Sequence, residues 1–161
     1  MPQMLIWVQL FMVAMPTLWL VLGALENIRA PAANGTMVAD VLAMRGMRDE
    51  FPHLYADLGR NRIESPRLHR WIFAAIVISE TLIALVMLTG TIALLLAALG
   101  AVDLELARIL ASIGMLGFTL IWSAFLVGGQ WVHYWAGAEG AQHTHFLLTI
   151  WGSTVLGLLV L

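Results

Sequence analysis

The chain has no cysteine and no lysine, and only 11% of its residues are charged. Without cysteine there are no disulfides, no thiolate chemistry, no iron–sulfur cluster and no cysteine-ligated zinc, although the absence does not identify a redox compartment. Eight arginines stand against ten acids, for a net charge of −2. No basic run is long enough to track a phosphate backbone, so nucleic acid is not an expected partner. A soluble domain carries charge on about a quarter of its residues. This chain has too little charge to clothe a water-facing surface. What it has is hydrocarbon: 61% of 161 residues are hydrophobic, and the mean hydropathy is +0.88. Lipid must cover much of the molecule, and the length allows a single domain.

A membrane helix needs about 20 apolar residues to cross about 30 Å of hydrocarbon. Four stretches approach that length: about Met4 to Leu25, Trp71 to Leu99, Leu106 to Val127, and Thr144 to Leu161. The expectation is an all-α membrane protein, an antiparallel four-helix transmembrane bundle in one domain, residues 1–161. The second stretch exceeds one crossing and must tilt or project. The fourth is short, so either its helix begins nearer Ala141, or the bilayer thins there, or the chain continues beyond Leu161. The first stretch lacks a basic leader and is too long for a signal-peptide core, which favours an uncleaved anchor over a cleaved signal. Pro16 lies inside it and should kink it.

The connection from 25 to 70 holds seven of the eight arginines, and all five histidines lie at the same expected membrane face. The arginines are nearly matched by Glu26, Asp40, Asp49, Glu50, Asp57 and Glu64. The positive-inside rule weakens for such a long loop, so charge alone leaves the orientation open. Residues 36–64 should form an interfacial, amphipathic-helical loop. Thr36 is a candidate N-cap, with Met37, Val38, Val41, Leu42 and Met44 on one apolar face. A short helix should follow Pro52 and stop at Gly59. Ala30 to Gly35, and Ser65-Pro66, read as turns.

Glu80 is the one ionisable residue deep in a span. Such a carboxyl should face the bundle interior and have a partner. Depth counting at about 1.5 Å per residue offers Thr17, Trp122, Ser123, Ser153 and Thr154 as members of one intramembrane polar layer. The functional reading is a proton-relay or quinone-site carboxyl. The plainer reading is a protonated carboxyl hydrogen-bonded across helices that fixes their register. Neutral imidazole binds zinc, copper or haem iron. His133, His143 and His145 are therefore metal candidates, and His69 with His133 a candidate haem pair. Against this, an i, i+2 pair does not share a helical face. Tryptophans 71, 131 and 135 with Tyr134 read as an ordinary aromatic belt at the same level. Gly114, Gly117, Gly128 and Gly129 should allow close helix approach. No Ser-His-Asp order, HExxH or paired-carboxylate motif is present.

The succession Leu116-Gly117, Trp122, Phe125, Gly128-Gly129-Gln130-Trp131-Val132, Tyr134-Trp135 resembles a bacterial family of predicted small integral membrane proteins of unknown function. Pro66, His69, Trp71, Ile76, Ile78 and Glu80, and more loosely Val41-Leu42-Ala43-Met44 and Phe51-Pro52, extend the resemblance over most of the chain. Gln130 replaces the family's glutamate, and His133 stands where the family pattern has no histidine. That departure weakens any family-wide site built on His133. The resemblance implies a four-helix fold in a bacterial inner membrane, with cytoplasmic termini and a periplasmic histidine face. It implies no activity. The expected function is a non-catalytic accessory, assembly or stabilising subunit of a larger membrane complex, in the respiratory or photosynthetic electron-transfer machinery in its narrower form. Its partners would be lipid and other integral membrane subunits. No cofactor is expected on this reading. A haem b- or quinone-binding redox anchor, and a small transporter or channel using Glu80, are the alternatives.

Overall fold

The computed structural model describes residues 2–160, so the expected end of the fourth stretch at Leu161 lies outside the described residues. The elements are α1 (Pro2–Arg29), α2 (Pro31–Leu42), α3 (Arg45–Glu50), α4 (Pro52–Leu58), a 3-10 turn (Gly59–Asn61), α5 (Pro66–Ala98), α6 (Leu104–Trp131) and α7 (Glu139–Leu159). No strand occurs among the described residues. Among the described residues, three helices are long and apolar enough to cross a membrane: Gln3–Arg29, Pro66–Ala98 and Leu104–Trp131; the fourth expected stretch is not among them. The 21-residue α7 packs along α6 and touches α1, while α5 lies between α1 and α6.

The long helices begin where the sequence supplies caps. The Ser65 hydroxyl accepts from the Leu68 N–H at 3.3 Å, and Pro66 occupies the first turn of α5. The Asp103 carboxylate accepts from the Leu106 N–H at 2.9 Å at the start of α6. Each cap satisfies a backbone donor that no preceding turn can satisfy. At 33 residues and about 1.5 Å per residue, α5 is about 50 Å long and exceeds any bilayer core. α1 runs unbroken through the buried Pro16.

Burial is inverted relative to a soluble bundle. Phe11, Leu18 and Leu22 on α1, Ile78, Leu82 and Leu85 on α5, and Ile113, Leu120 and Val127 on α6 are all exposed. Gln9, Thr17, Asn27 and Glu80 are buried. Lipid tails gain nothing from expelling such apolar side chains, so the helices must associate through close packing and interhelical hydrogen bonds. The inner surface is small or aromatic accordingly. Ala107, Ala111, Gly114 and Phe118 of α6 meet Ala84, Met87 and Gly90 of α5, and Leu148, Gly152 and Val155 of α7 close the other side. A chain of ring contacts joins α1 to α6 and α7: Trp19 to Phe118 at 6.5 Å and to Trp122 at 5.3 Å, then Phe118 to Trp151 at 6.3 Å.

The loop between the first two long helices is helical, but not with the expected bounds. The turn expected at Ala30 to Gly35 is confined to Ala30, and α2 starts at Pro31 and passes through Asn34 and Gly35. Two tertiary contacts outweigh the turn preference of that dipeptide. The Asn34 amide donates to Asn27 Oδ1 at 2.7 Å, and Gly35 lies against the Phe73 ring, where a Cβ would come within 3.4 Å. Thr36 does not cap; its hydroxyl donates back to the Ala32 carbonyl at 2.8 Å. The amphipathic helix expected from Thr36 ends before Met44, which is left-handed with φ 53°.

Candidate functional site

Helices α2 to α4 and residues 132–138 form a small folded cap beside the ends of the long helices. Met44, Met47, Val132, Tyr134 and Ala136 are buried together, with Val41, Phe51, Tyr55, Leu58 and Trp135 packed around them. Backbone contact fastens the two halves. A Cβ on Gly46 would stand 2.7 Å from Gly137 Cα, and Gly137 has φ +83°, a conformation suited to glycine. A cavity of about 340 Å³ lies between α2 and this turn, with Thr36, Asp40, Met44 and Tyr134 among its lining residues. Three exposed ion pairs lie in or beside the cap among the described residues. Arg45 pairs with Asp40 at 2.7 Å, Arg48 with Asp49 at 3.0 Å and Arg62 with Glu64 at 2.6 Å. Exposed pairs of this kind each contribute about 0–1 kcal/mol.

Glu80 faces inward, but its partner is not in the expected layer. Asn27, near the end of α1, donates from Nδ2 to Glu80 Oε2 at 2.7 Å, and both residues are buried. With the Asn34 bond, two amides link the carboxylate to α2. Thr17 belongs to a separate level: its hydroxyl donates to the Val13 carbonyl at 2.7 Å and lies 3.0 Å from the Thr91 hydroxyl. Trp122 is buried with Nε1 unpartnered, and Ser123 is half-buried on the same helix. Ser153 and Thr154 are exposed and donate to the Thr149 and Ile150 carbonyls of their own helix. The five candidates therefore do not converge on Glu80. α1 continues to Arg29 rather than ending at Leu25, and this brings Asn27 into the helix opposite the carboxyl.

The histidines are dispersed. His53 and His143 are exposed. His69 Nε2 lies 2.6 Å from the Ile63 carbonyl oxygen, tying the loop to the first turns of α5. His133 sits on a left-handed residue with φ 51°, its ring 6.5 Å from Trp135 and nearly perpendicular to it. His145 is in an aromatic stack, 5.5 Å from Trp122, 4.9 Å from Phe125 and 6.1 Å from Tyr134. Among the described residues, no three His, Asp or Glu side chains form a group able to hold a metal ion. His133, His143 and His145 are thus not brought together, because His143 and His145 leave α7 on different faces. Among the described residues, four buried side-chain polar atoms have no partner: Trp122 Nε1, His133 Nε2, Tyr134 Oη and His145 Nδ1. Burial also raises the Tyr134 phenol above its ordinary range.

The His69 bond has a testable size. His69→Ala should destabilise the chain by about 1 kcal/mol, the usual net value of one hydrogen bond. Thermal unfolding in mild detergent measures this. A loss several times larger would assign His69 a role beyond pinning the loop.

Gln9 and Arg108, absent from the sequence-based candidates, meet at the opposite end. Gln9, fully buried in α1, donates to the Leu158 carbonyl at 2.9 Å and accepts from Arg108 Nε at 3.0 Å. Its signal was an amide inside an apolar run. Asn27 lacked such a signal, because it falls just past the apolar stretch.

No curated protein and no solved structure matches the chain. The family model for predicted small integral membrane proteins (DUF2165) matches residues 5–161, and the chain, whose apolar helices and inverted burial suit that description, belongs to this family.

Proposed function

We propose that this chain is a non-catalytic accessory subunit that stabilises or assembles a larger complex in a bacterial inner membrane. In this reading it crosses the membrane four times as an antiparallel bundle, with cytoplasmic termini and a periplasmic cap. α7 supports a fourth crossing because Leu148, Val155 and Leu159 face the bundle while Phe146, Leu147 and Ile150 face outward. The observation that carries the subunit role is the other part of that outward surface. Ser153, Thr154 and Gly157 are exposed, and nothing lies within 4 Å of a Cβ placed on Gly157. The two hydroxyls are already satisfied by their own helix. Small, internally satisfied residues let a second helix approach closely, whereas lipid contact favours bulky side chains like those outward on α1. The folded cap suits the same role, since it presents a fixed shape beside the helix ends.

Photo-crosslinking in native membranes tests this. A crosslinking residue placed at Ser153 or Gly157 should yield a discrete adduct with another membrane protein, whereas one at Leu22 should yield mainly lipid. Lipid adducts alone from the α7 positions would overturn the proposal.

A further inference from the structure

The chain has no lysine, and Arg108 is the one arginine outside the segment 29–70. It lies in the first turns of α6 and is half-buried. Its Nε donates to Gln9 Oε1 at 3.0 Å. That amide is neutral, and among the described residues no carboxylate pairs with Arg108. Glu105, one turn earlier, is exposed and pairs with no cation among the same residues. Both line an open groove of about 430 Å³, together with Ser112, Ile109, Ile113, Leu159 and Val160. Ile109 is 50%, Ile113 54% and Val160 73% exposed, so the groove opens onto the apolar outer surface.

The order of these groups along α6 is informative. From the helix start inward come the Glu105 carboxylate, the Arg108 guanidinium, and then Ile109 and Ile113 with the Ser112 hydroxyl between them. A phospholipid with a primary amine presents the complementary order from water inward: ammonium, phosphate, acyl chain. We propose that this groove binds the headgroup of an ethanolamine phospholipid. The phosphate lies on the Arg108 guanidinium and the Ser112 hydroxyl, the ammonium lies on Glu105, and one acyl chain runs along Ile109 and Ile113. A guanidinium suits a phosphate because its planar fork bonds two oxygens at once. Glu105 supplies the discrimination. A primary ammonium donates hydrogen bonds to a carboxylate, a trimethylammonium has none to donate, and a purely anionic headgroup is repelled.

The test is native mass spectrometry of the purified full chain, with dioleoyl phosphatidylethanolamine, phosphatidylcholine and phosphatidylglycerol titrated separately. One ethanolamine lipid per chain should be retained in preference to the other two. Glu105→Gln, whose side chain holds no other described partner, should cut that preference by about tenfold, the size of one charge-assisted hydrogen bond. Arg108→Gln should abolish retention of all three lipids. Because Arg108→Gln also frees Gln9 and disturbs α1, Ser112→Ala is the companion variant; it should weaken retention while keeping the ethanolamine preference. Equal retention of the three lipids by the wild type, tightest binding of the glycerol lipid, or an unchanged preference in Glu105→Gln would each overturn the proposal.

Discussion

Gly90→Leu is expected to separate α5 from α6 and to destabilise the chain by about 3 kcal/mol, the upper part of the range for over-packing. A Cβ at position 90 would stand 2.6 Å from Ala111 Cα and 2.8 Å from Ala111 N. Those atoms are backbone, so no rotamer change can relieve the clash; only movement of a helix can. The contact is reciprocal, since a Cβ on Gly114 would stand 2.9 Å from Met87 Cα. Two comparisons isolate the cause. The atoms nearest a Cβ on Gly117 belong to the Ile83 side chain, at 3.1 Å, and that side chain can shift, so Gly117→Ala should cost far less. Gly128 has nothing within 4 Å, and Gly128→Ala should be neutral or stabilise by up to about 1 kcal/mol through helix propensity. Thermal unfolding in mild detergent, followed by circular dichroism, measures all three. Equal losses at Gly90 and Gly128 would refute close helix approach as the reason for Gly90. The same comparison divides the sequence-based expectation: Gly114 and Gly117 lie at the helix interface, Gly129 packs under the Tyr134 ring, and Gly128 has no such role.

Hydropathy made the three long spans legible, because a run of bulky apolar residues has no other stable environment at this composition. It was blind to their ends. Asn27 and Arg29 continue α1, and Pro66 to Arg70 open α5, because hydrogen bonding and capping set those limits rather than apolarity. The cap was legible at Pro52 and Gly59, where local residue chemistry decides, since α4 does begin at Pro52 and yields to a 3-10 turn at Gly59. It was not legible at Asn34-Gly35, where contacts with Asn27 and Phe73 override the local preference. That Glu80 should face inward and find a partner followed from the physics of a carboxyl in an apolar medium. Which partner it finds depended on helix length and rotation. Counting depth from assumed span ends placed Asn27 outside the membrane and Thr17 beside Glu80, whereas the longer α1 pairs Asn27 with Glu80 and Thr17 with Thr91.

The Asn27–Glu80 pair gives the second large effect. Glu80→Leu should destabilise the chain by about 2–3 kcal/mol, because it leaves the buried Asn27 amide without an acceptor and adds no compensating bond. Asn27→Leu should cost a similar amount, because it leaves the buried carboxyl without its amide donor. The double substitution should recover most of the loss, since replacing both members of a buried polar pair by apolar groups removes the unsatisfied atoms along with the bond. Asn34, half-buried, would then turn its amide toward water. The coupling expected from such a cycle is about 1–3 kcal/mol, well above what independent sites show. Glu80→Gln completes the series. A glutamine oxygen still accepts from Asn27 Nδ2, so stability should change by less than about 1 kcal/mol if the carboxyl serves only to join α1 to α5. Additive losses in the double variant would show that the pair is not a unit. If Glu80→Gln proves stable yet fails to restore a strain lacking the protein, while the leucine pair also fails, then the carboxyl is needed for its charge or proton, and its burial beside Asn27 serves chemistry rather than register.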